Sequence, residues 1–386
     1  MSKTSQPPTK LDRFARERRR FLSEGAIYGA GSILAGLGSS RYALAQAQTP
    51  RAAGAGAAGP SSRPLMPPEP KVSQPAPLHD LKGKVAYITA SSDGIGLGIA
   101  RAASNAGMKV CIGYRNEERL QAALPLFPKG NPVLPVKHDV TDRDGWAKVL
   151  EQIKGEFGKL HLMVNNAGSK LRAKVSDASF TDWDNAVAVN YTATYNSIVT
   201  CLPHMLEHGE GSHIVVTSSM SGLLPGGNLG VYTATKIAVV GLMEALRVEL
   251  EGTTVGTSAF VPGGVNTDNY IGSGEINPYR AAHPQPGPPS GVARPAGPPP
   301  GMDPLEAGER VLNGVIHNDL FIVTHPEYMP GTKQRFDAIL ASVPQEAAPP
   351  PAERVKLEQR VLHAGIYPRE IAHRRKKRNS YRTVTV

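Results

Sequence analysis

Val85-Ala86-Tyr87-Ile88-Thr89-Ala90-Ser91-Ser92-Asp93-Gly94-Ile95-Gly96, with Gly98 close behind, is the stretch on which the reading of this chain turns. A short β-rich run ends at Thr89, a turn holding Gly94 and Gly96 follows, and an Ala-containing helical segment begins. A glycine-rich turn between strand and helix lets backbone N–H groups approach a pyrophosphate and places it at the positive end of the helix dipole. A glycine cluster alone would say little, but this one sits between a strand and a helix, as the mechanism requires.

Working outward, similar β-rich runs recur: Lys109 to Gly113, Val133 to Asp139, His161 to Asn165, His213 to Ser218, Thr254 to Val261 and Leu320 to Thr324. Helical segments separate them, which is the alternation of βαβ units. Right-handed crossovers then give an α/β fold, a doubly wound parallel sheet of Rossmann type, with ligand bound beyond the carboxyl ends of its strands. The end of the second strand indicates which dinucleotide. An acidic residue there would accept the 2′-hydroxyl of NAD, whereas an arginine can hold the extra phosphate of NADP. The residue is Arg115, with no carboxylate before Glu117, so NADP(H) is expected over NAD(H).

Further on, Tyr232-Thr233-Ala234-Thr235-Lys236 opens a helical stretch, and Ser219 ends a strand 13 positions earlier. Four-residue spacing puts Tyr232 and Lys236 on one helical face about one turn apart. There an ammonium can favour tyrosinate and bring the phenol towards useful acidity.

These residues, in this order, resemble the short-chain dehydrogenase/reductase family over roughly Lys84 to Leu340. The turn from Thr89 to Gly96 resembles its TGxxxGIG signature, with Thr89, Ser91, Asp93, Gly94, Ile95 and Gly96 as cofactor-binding positions. It departs once, at Ala90, where the family has glycine; because alanine is disfavoured where φ is positive, a slightly different turn is expected. The resemblance also implies adenine-side and strand-stabilising roles for Asp139, Val140, Asn166, Ala167 and Gly168. In Pro262-Gly263-Gly264-Val265-Asn266-Thr267, similar to a PGxxxT segment, Val265 and Thr267 would fix the carboxamide beside Pro262 and Gly263. By the same resemblance Asn190, read as the end of a helical stretch, holds a water against the lysine. Ser219 orients the substrate carbonyl, Tyr232 is the general acid or base, and Lys236 binds nicotinamide ribose and tunes the tyrosine. Ser218 and Ser221 compete for the serine role, but only Ser219 has the family spacing. The reaction implied is hydride transfer between nicotinamide and a carbonyl or secondary alcohol, in a direction the residues leave open. A homo-oligomer is implied as well. A non-catalytic sensor keeping the fold would be expected to lose part of the serine, tyrosine and lysine set; an exported binding protein with a vestigial site is the other alternative.

The chain's 386 residues carry a net charge of +10, concentrated at the ends. Residues 1–20 hold seven Lys/Arg against two Asp/Glu and residues 366–386 seven against one, which leaves the middle at −1. A nearly neutral middle gives no sign of a nucleic-acid partner. Cys111 and Cys201 lie in apolar stretches and read as small buried hydrophobes. Arg18-Arg19-Arg20-Phe21-Leu22, a weakly apolar Gly/Ala-rich run, Arg41 and Ala43-Leu44-Ala45-Gln46-Ala47 give the basic, apolar and small-residue order of a cleavable signal. It resembles a twin-arginine signal, so residues 1–45 are expected to engage the twin-arginine export machinery and to be cleaved after Ala45 or Ala47. The periplasm is then the expected location, with the cytoplasm as the alternative. Residues 46–79, rich in Ala, Gly, Ser and Pro, read as a disordered tether ahead of a single domain over 80–343. Within it, residues 267–302 are expected to form the lid over the substrate, Tyr270 to Tyr279 covering the pocket. Residues 344–386 form a Pro-rich and basic extension that could wrap a neighbour, contact membrane or hang free, with Arg374-Arg375-Lys376-Lys377-Arg378 read as a solvated end.

Overall fold

A computed structural model describes residues 75–267, 301–344, 351–362 and 365–377. The chain divides into Met1–Pro64 and Leu65–Val386, and all described residues belong to the second unit. The expected signal of residues 1–45, most of the expected tether and the expected lid segment Tyr270 to Tyr279 lie outside the described residues.

The expected alternation is present. In chain order the elements are β1 (Val85–Ile88), α1 (Gly94–Asn105), β2 (Lys109–Tyr114), α2 (Glu117–Ala123), β3 (Val133–Lys137), α3 (Gly145–Phe157) and β4 (Leu162–Asn165). There follow α4 (Phe180–Val187), α5 (Ala193–His208), β5 (Ser212–Thr217), α6 (Gly230–Glu249), β6 (Val255–Val261), α7 (Pro304–His317) and β7 (Phe321–Val323). Helices α8 (Met329–Ala341), α9 (Ala352–Leu362) and α10 (Ile366–Lys377) end the described chain. The sheet order is β3-β2-β1-β4-β5-β6-β7, every pair parallel. The order reverses between β1 and β4, the switch point at which such sheets bind ligands.

Strands β1, β4, β5 and β6 are buried along their whole length, as a sheet covered on both faces demands. One apolar layer joins Ile88, Ile112 and Val164 to α1 and α7; the other joins Tyr87, Met163 and Ile214 to α3, α5 and α6. The α1–α7 crossing is close because it is built on glycine: a Cβ on Gly98 would lie 1.9 Å from the Pro304 carbonyl oxygen, and one on Gly308 2.4 Å from that of Gly98.

Two expected boundaries shift. Leu78 is buried, and the Pro75 carbonyl accepts from Asn318 Nδ2 at 3.2 Å, so the folded unit starts before residue 80. The C-terminal extension likewise contributes to it. Glu370 Oε2 accepts from the Leu320 amide at 3.1 Å, Asp319 is paired with His373 and Arg374, and Arg374 also donates to the Phe321 carbonyl. Helix α10 thus supplies side-chain partners to backbone groups beside the edge strand β7, and Arg374 is a paired charge with 40% of its side chain exposed.

Candidate active site

The turn after β1 is held from the neighbouring strands. Asn166 donates its amide N–H to Thr89 Oγ1 (2.9 Å) and its Nδ2 to the carbonyls of Thr89 (3.2 Å) and Ala90 (3.4 Å), while Thr217 donates to its Oδ1 (3.3 Å). The Ala167 amide also donates to Thr89 Oγ1, at 2.9 Å. Asn166 and Thr89 together therefore fix the turn to β4 and β5. Ala90 has φ +50°, the left-handed region that favours glycine, so the turn has not been rebuilt to spare the alanine. Ser91 is fully buried; its hydroxyl donates to the Ile88 carbonyl (2.7 Å) and its amide to that of Gly113 (2.8 Å), so its side chain shapes the turn from within.

Asp93 caps α1 by accepting from the Gly94 amide at 2.6 Å, and its second oxygen is paired with Arg119 of α2 at 2.6 Å. Gly94, at φ +54°, is followed by Ile95 and by Gly96, where a Cβ would meet the Ala90 carbonyl oxygen at 2.3 Å. A close backbone cradle at a helix N-terminus is what a pyrophosphate requires. The Arg119 partner of the capping carboxylate lay one helical turn past Arg115 in the sequence and was missed, since nothing local marks it as reaching the turn.

At the end of β2, Arg115 Nη1 donates to Asp139 Oδ2 at 3.0 Å. Burial pushes the Asp139 carboxyl up, but hydrogen bonds from Thr141 and from Arg115 outweigh it and hold the group below its ordinary range. Both partners are largely exposed, so water screens this pair. Val140 beside it is buried, its carbonyl accepting from Trp146 Nε1 at 3.0 Å.

The residues expected to be catalytic converge at the carboxyl end of the sheet. Asn190 lies within a π-helical turn, Ala188–Thr192, that joins α4 to α5, not at a helix end. Such turns often mark functional sites. Its Oδ1 accepts from the Ser169 amide (2.7 Å) and its Nδ2 donates to the Ser169 carbonyl (2.9 Å) and to Thr235 Oγ1 (3.0 Å). It therefore ties the loop after Gly168 to α6. Ser219, the residue before the 3-10 turn Met220–Gly222, accepts from the Ser221 amide at 3.2 Å. Ser218 is buried and donates to the Lys236 carbonyl at 2.8 Å, which removes it from the competition for the serine role.

Tyr232 and Lys236 are both buried in the first turns of α6. Burial raises the phenol above its ordinary value, and its hydrogen bond with Ser219 works against that rise. Lys236 Nζ donates to the Thr217 carbonyl at 2.8 Å and stands 5.5 Å from the centre of the Tyr232 ring; burial lowers its pKa to about 8. Thr217 and Thr235, which orient Lys236 and Asn190, had no signal of their own in the sequence.

The segment after β6 completes the site. The Pro262 carbonyl accepts from the Met220 amide at 2.9 Å, Val265 bridges to Met302, and Thr267 Cγ2 lies 3.2 Å from where a Cβ of Gly94 would stand. Gly263 lies against His325, another residue the sequence did not single out. A cavity of about 570 Å³ lies at the opposite end of the sheet, among residues 75–77, 209–211 and 251–254, and touches none of these groups. Burial geometry at the strand ends, not cavity size, locates the site.

Residues 84–275 match the short chain dehydrogenase family. An oxidoreductase of Staphylococcus epidermidis without an assigned substrate is 34% identical over 187 residues, 48% of this chain and 80% of its own length. The C alpha-dehydrogenase of Sphingobium sp. strain SYK-6 is 28% identical over 299 residues, 73% of this chain and 93% of its own length. A short chain dehydrogenase/reductase from Burkholderia phymatum, solved in complex with NAD, superposes with a TM-score of 0.60 at 27% identity, covering 70% of this chain and 99% of that one. The chain belongs to the short-chain dehydrogenase/reductase family, and is an oxidoreductase of that family.

Proposed function

We propose that this chain is an NADP(H)-preferring oxidoreductase that interconverts a secondary alcohol and a carbonyl compound. The observation that carries the reading is the meeting of Ser219, Tyr232 and Lys236 beside the glycine turn at the sheet's carboxyl end. The residues fit a dinucleotide: the close backbone of Gly94 and Gly96 suits a pyrophosphate, and the segment from Pro262 to Thr267 runs from there to the catalytic serine. When bound, nicotinamide supplies or accepts the hydride and, when oxidised, adds a positive charge that favours tyrosinate.

Tyr232 Oη donates the proton to the carbonyl oxygen in reduction and takes it from the alcohol in oxidation. Ser219 holds the same oxygen. Lys236, fixed by Thr217 and facing the Tyr232 ring, would hold the nicotinamide ribose, and Asn190 would hold a water against its ammonium. The similarity to a C alpha-dehydrogenase favours a CH–OH donor. A panel of ketones and secondary alcohols, assayed with NADPH and NADP, tests the reaction; no nucleotide-dependent turnover with any member would contradict it.

Arg115 is the basis for NADP over NAD. Its pair with Asp139 is exposed and screened, so a 2′-phosphate can replace the carboxylate as partner. Arg115→Asp should weaken NADPH binding strongly and NADH binding little, and equal NADPH affinities in wild type and variant would sink the assignment. Tyr195, Val199 and Leu206 form an exposed apolar stripe on α5, which we take as the contact between copies in a homo-oligomer. Sedimentation of a Val199→Asp variant as a monomer, against an oligomeric wild type, would support it.

Arg18-Arg19 and the small residues near Ala45 support twin-arginine export to the periplasm. Fractionation should find mature protein outside the cytoplasmic membrane, and replacing both arginines by lysine should retain the precursor inside. Uncleaved wild-type protein in the cytoplasm would contradict export. An exported enzyme of this type is expected to acquire its dinucleotide before export and to purify with it.

A further inference from the structure

We infer that His325 is the positioning residue for the nicotinamide end of the dinucleotide site. The inference rests on the nucleotide reading above and assigns a role within it. Its ground is where the segment from Pro262 to Thr267 runs. At one end the Pro262 carbonyl holds the amide of Met220, the neighbour of Ser219; at the other Thr267 packs against Gly94 in the phosphate turn. Any group that links a pyrophosphate on the turn to a reacting carbon beside Ser219 and Tyr232 must pass along this segment.

His325 grips it at two consecutive residues. The Gly263 amide donates to Nδ1 at 2.9 Å, and Nε2 stands 3.1 Å from the Gly264 carbonyl oxygen. Because Nδ1 accepts from Gly263, it carries no hydrogen; because a carbonyl can only accept, Nε2 carries one. The neutral Nε2–H tautomer is therefore set by the backbone it holds. The Thr324 hydroxyl, 2.8 Å from Nδ1, can donate to the same nitrogen and is compatible with that tautomer. The ring lies flat against Gly263, where a Cβ would come within 2.6 Å of His325 Cγ, so glycine at 263 is required by the histidine and not by backbone freedom. His325 itself is buried, placed two residues after β7 with Arg310 Nη1 fastening the intervening Thr324 carbonyl at 2.8 Å. A rigid second layer of this kind keeps the contacting residues Gly263 to Val265 in one geometry before a ligand arrives.

Such a role predicts a split between the two ends of the ligand, which general loss of stability would not produce. Direct binding is measured by calorimetry on the full chain, with whichever of NADPH and NADH the wild type binds more tightly, and with the matching adenosine fragment, 2′,5′-ADP or ADP. His325→Leu should weaken the dinucleotide about tenfold or more, and leave the fragment within about twofold of wild type. His325→Asn, whose Oδ1 can stand in for Nδ1, should recover most of the lost affinity. Should His325→Leu fail to fold, Gly263→Ala displaces the ring from the other side and should give the same split. Unchanged dinucleotide affinity in a folded variant, or equal losses for dinucleotide and fragment, would overturn the inference. If wild type binds neither ligand, the nucleotide reading itself is wrong and the inference falls with it.

Discussion

Helix α6 buries two cations eleven residues apart, Lys236 at 3% exposure and Arg247 at 4%, and treats them in opposite ways. Arg247 is surrounded by acceptors. Its Nε donates to Thr257 Oγ1 (3.0 Å), Nη1 and Nη2 each to the Asn318 carbonyl (3.2 Å), and Nη2 also to the Thr257 carbonyl. Burial lowers its pKa to about 10, and the charges of Glu370 and Asp319 resist that fall. Lys236 has one such bond, to the Thr217 carbonyl, and burial lowers it to about 8 with no opposing cause. A buried charge is tolerated when its donors are matched, as at Arg247. At Lys236 the fold bears the cost of an undersupplied ammonium beside Tyr232, a combination more common at functional sites than at structural ones.

Four substitutions sharpen or break that contrast. Tyr232→Phe should lower kcat by about a thousandfold or more while nucleotide affinity stays near wild type, because the hydroxyl serves only proton transfer. Steady-state kinetics with nucleotide titration checks this, and wild-type turnover would remove the acid/base role. Arg247→Met should cost about 1–3 kcal/mol of stability in denaturant unfolding, since it leaves the buried Thr257 and Asn318 carbonyls without their donor, while folded enzyme keeps its turnover.

Lys236→Met should do the reverse, losing turnover at little cost to the fold, and its effect on stability should depend on pH. The folded-state pKa of about 8 lies below the ordinary lysine value of 10.5. Between these values the unfolded chain binds more protons than the folded one, so this lysine's contribution to stability rises with pH. The charge penalty is full below pH 8 and is relieved by pH 10.5. The stability of wild type minus Lys236→Met should therefore climb by roughly 3 kcal/mol across that window. A flat difference curve would show that the ammonium is well solvated. Smallest of all, Ala90→Gly should stabilise the protein by about 0.5–1 kcal/mol, because it relieves an alanine held at φ +50°. A loss of stability would mean that alanine's smaller unfolded-state entropy outweighs the strain.

The seven strands were legible because buried parallel strands are continuous apolar runs, and each observed strand falls within two residues of its expected limits. The placement of Tyr232, Lys236 and Ser219 close together was legible because helical spacing and strand ends are local signals. What the sequence concealed depends on distant partners. Glu370 meets Leu320 and His373 meets Asp319 across some fifty residues, so the extension from residue 344 carried no local mark of docking. His325 shows its role only through its contact with Gly263, 62 residues away. Ser91 could not be told from a ligand-facing serine until its hydroxyl was seen donating to Ile88. Asn190 looked like a helix end because a π turn interrupts a run of helical residues without a break in their pattern.

The most direct test of the account follows the hydride. Full-length protein is incubated with NADPH deuterated at the nicotinamide C4 position, on each face in turn, and a panel of ketones, and the products are read by mass spectrometry. The account predicts deuterium on the carbinol carbon of at least one product, delivered from one face only, and its loss in Tyr232→Phe. Tight NADPH binding with no deuterium reaching any ketone, or transfer that survives Tyr232→Phe undiminished, would contradict the assignment of Ser219, Tyr232 and Lys236 as the reacting site.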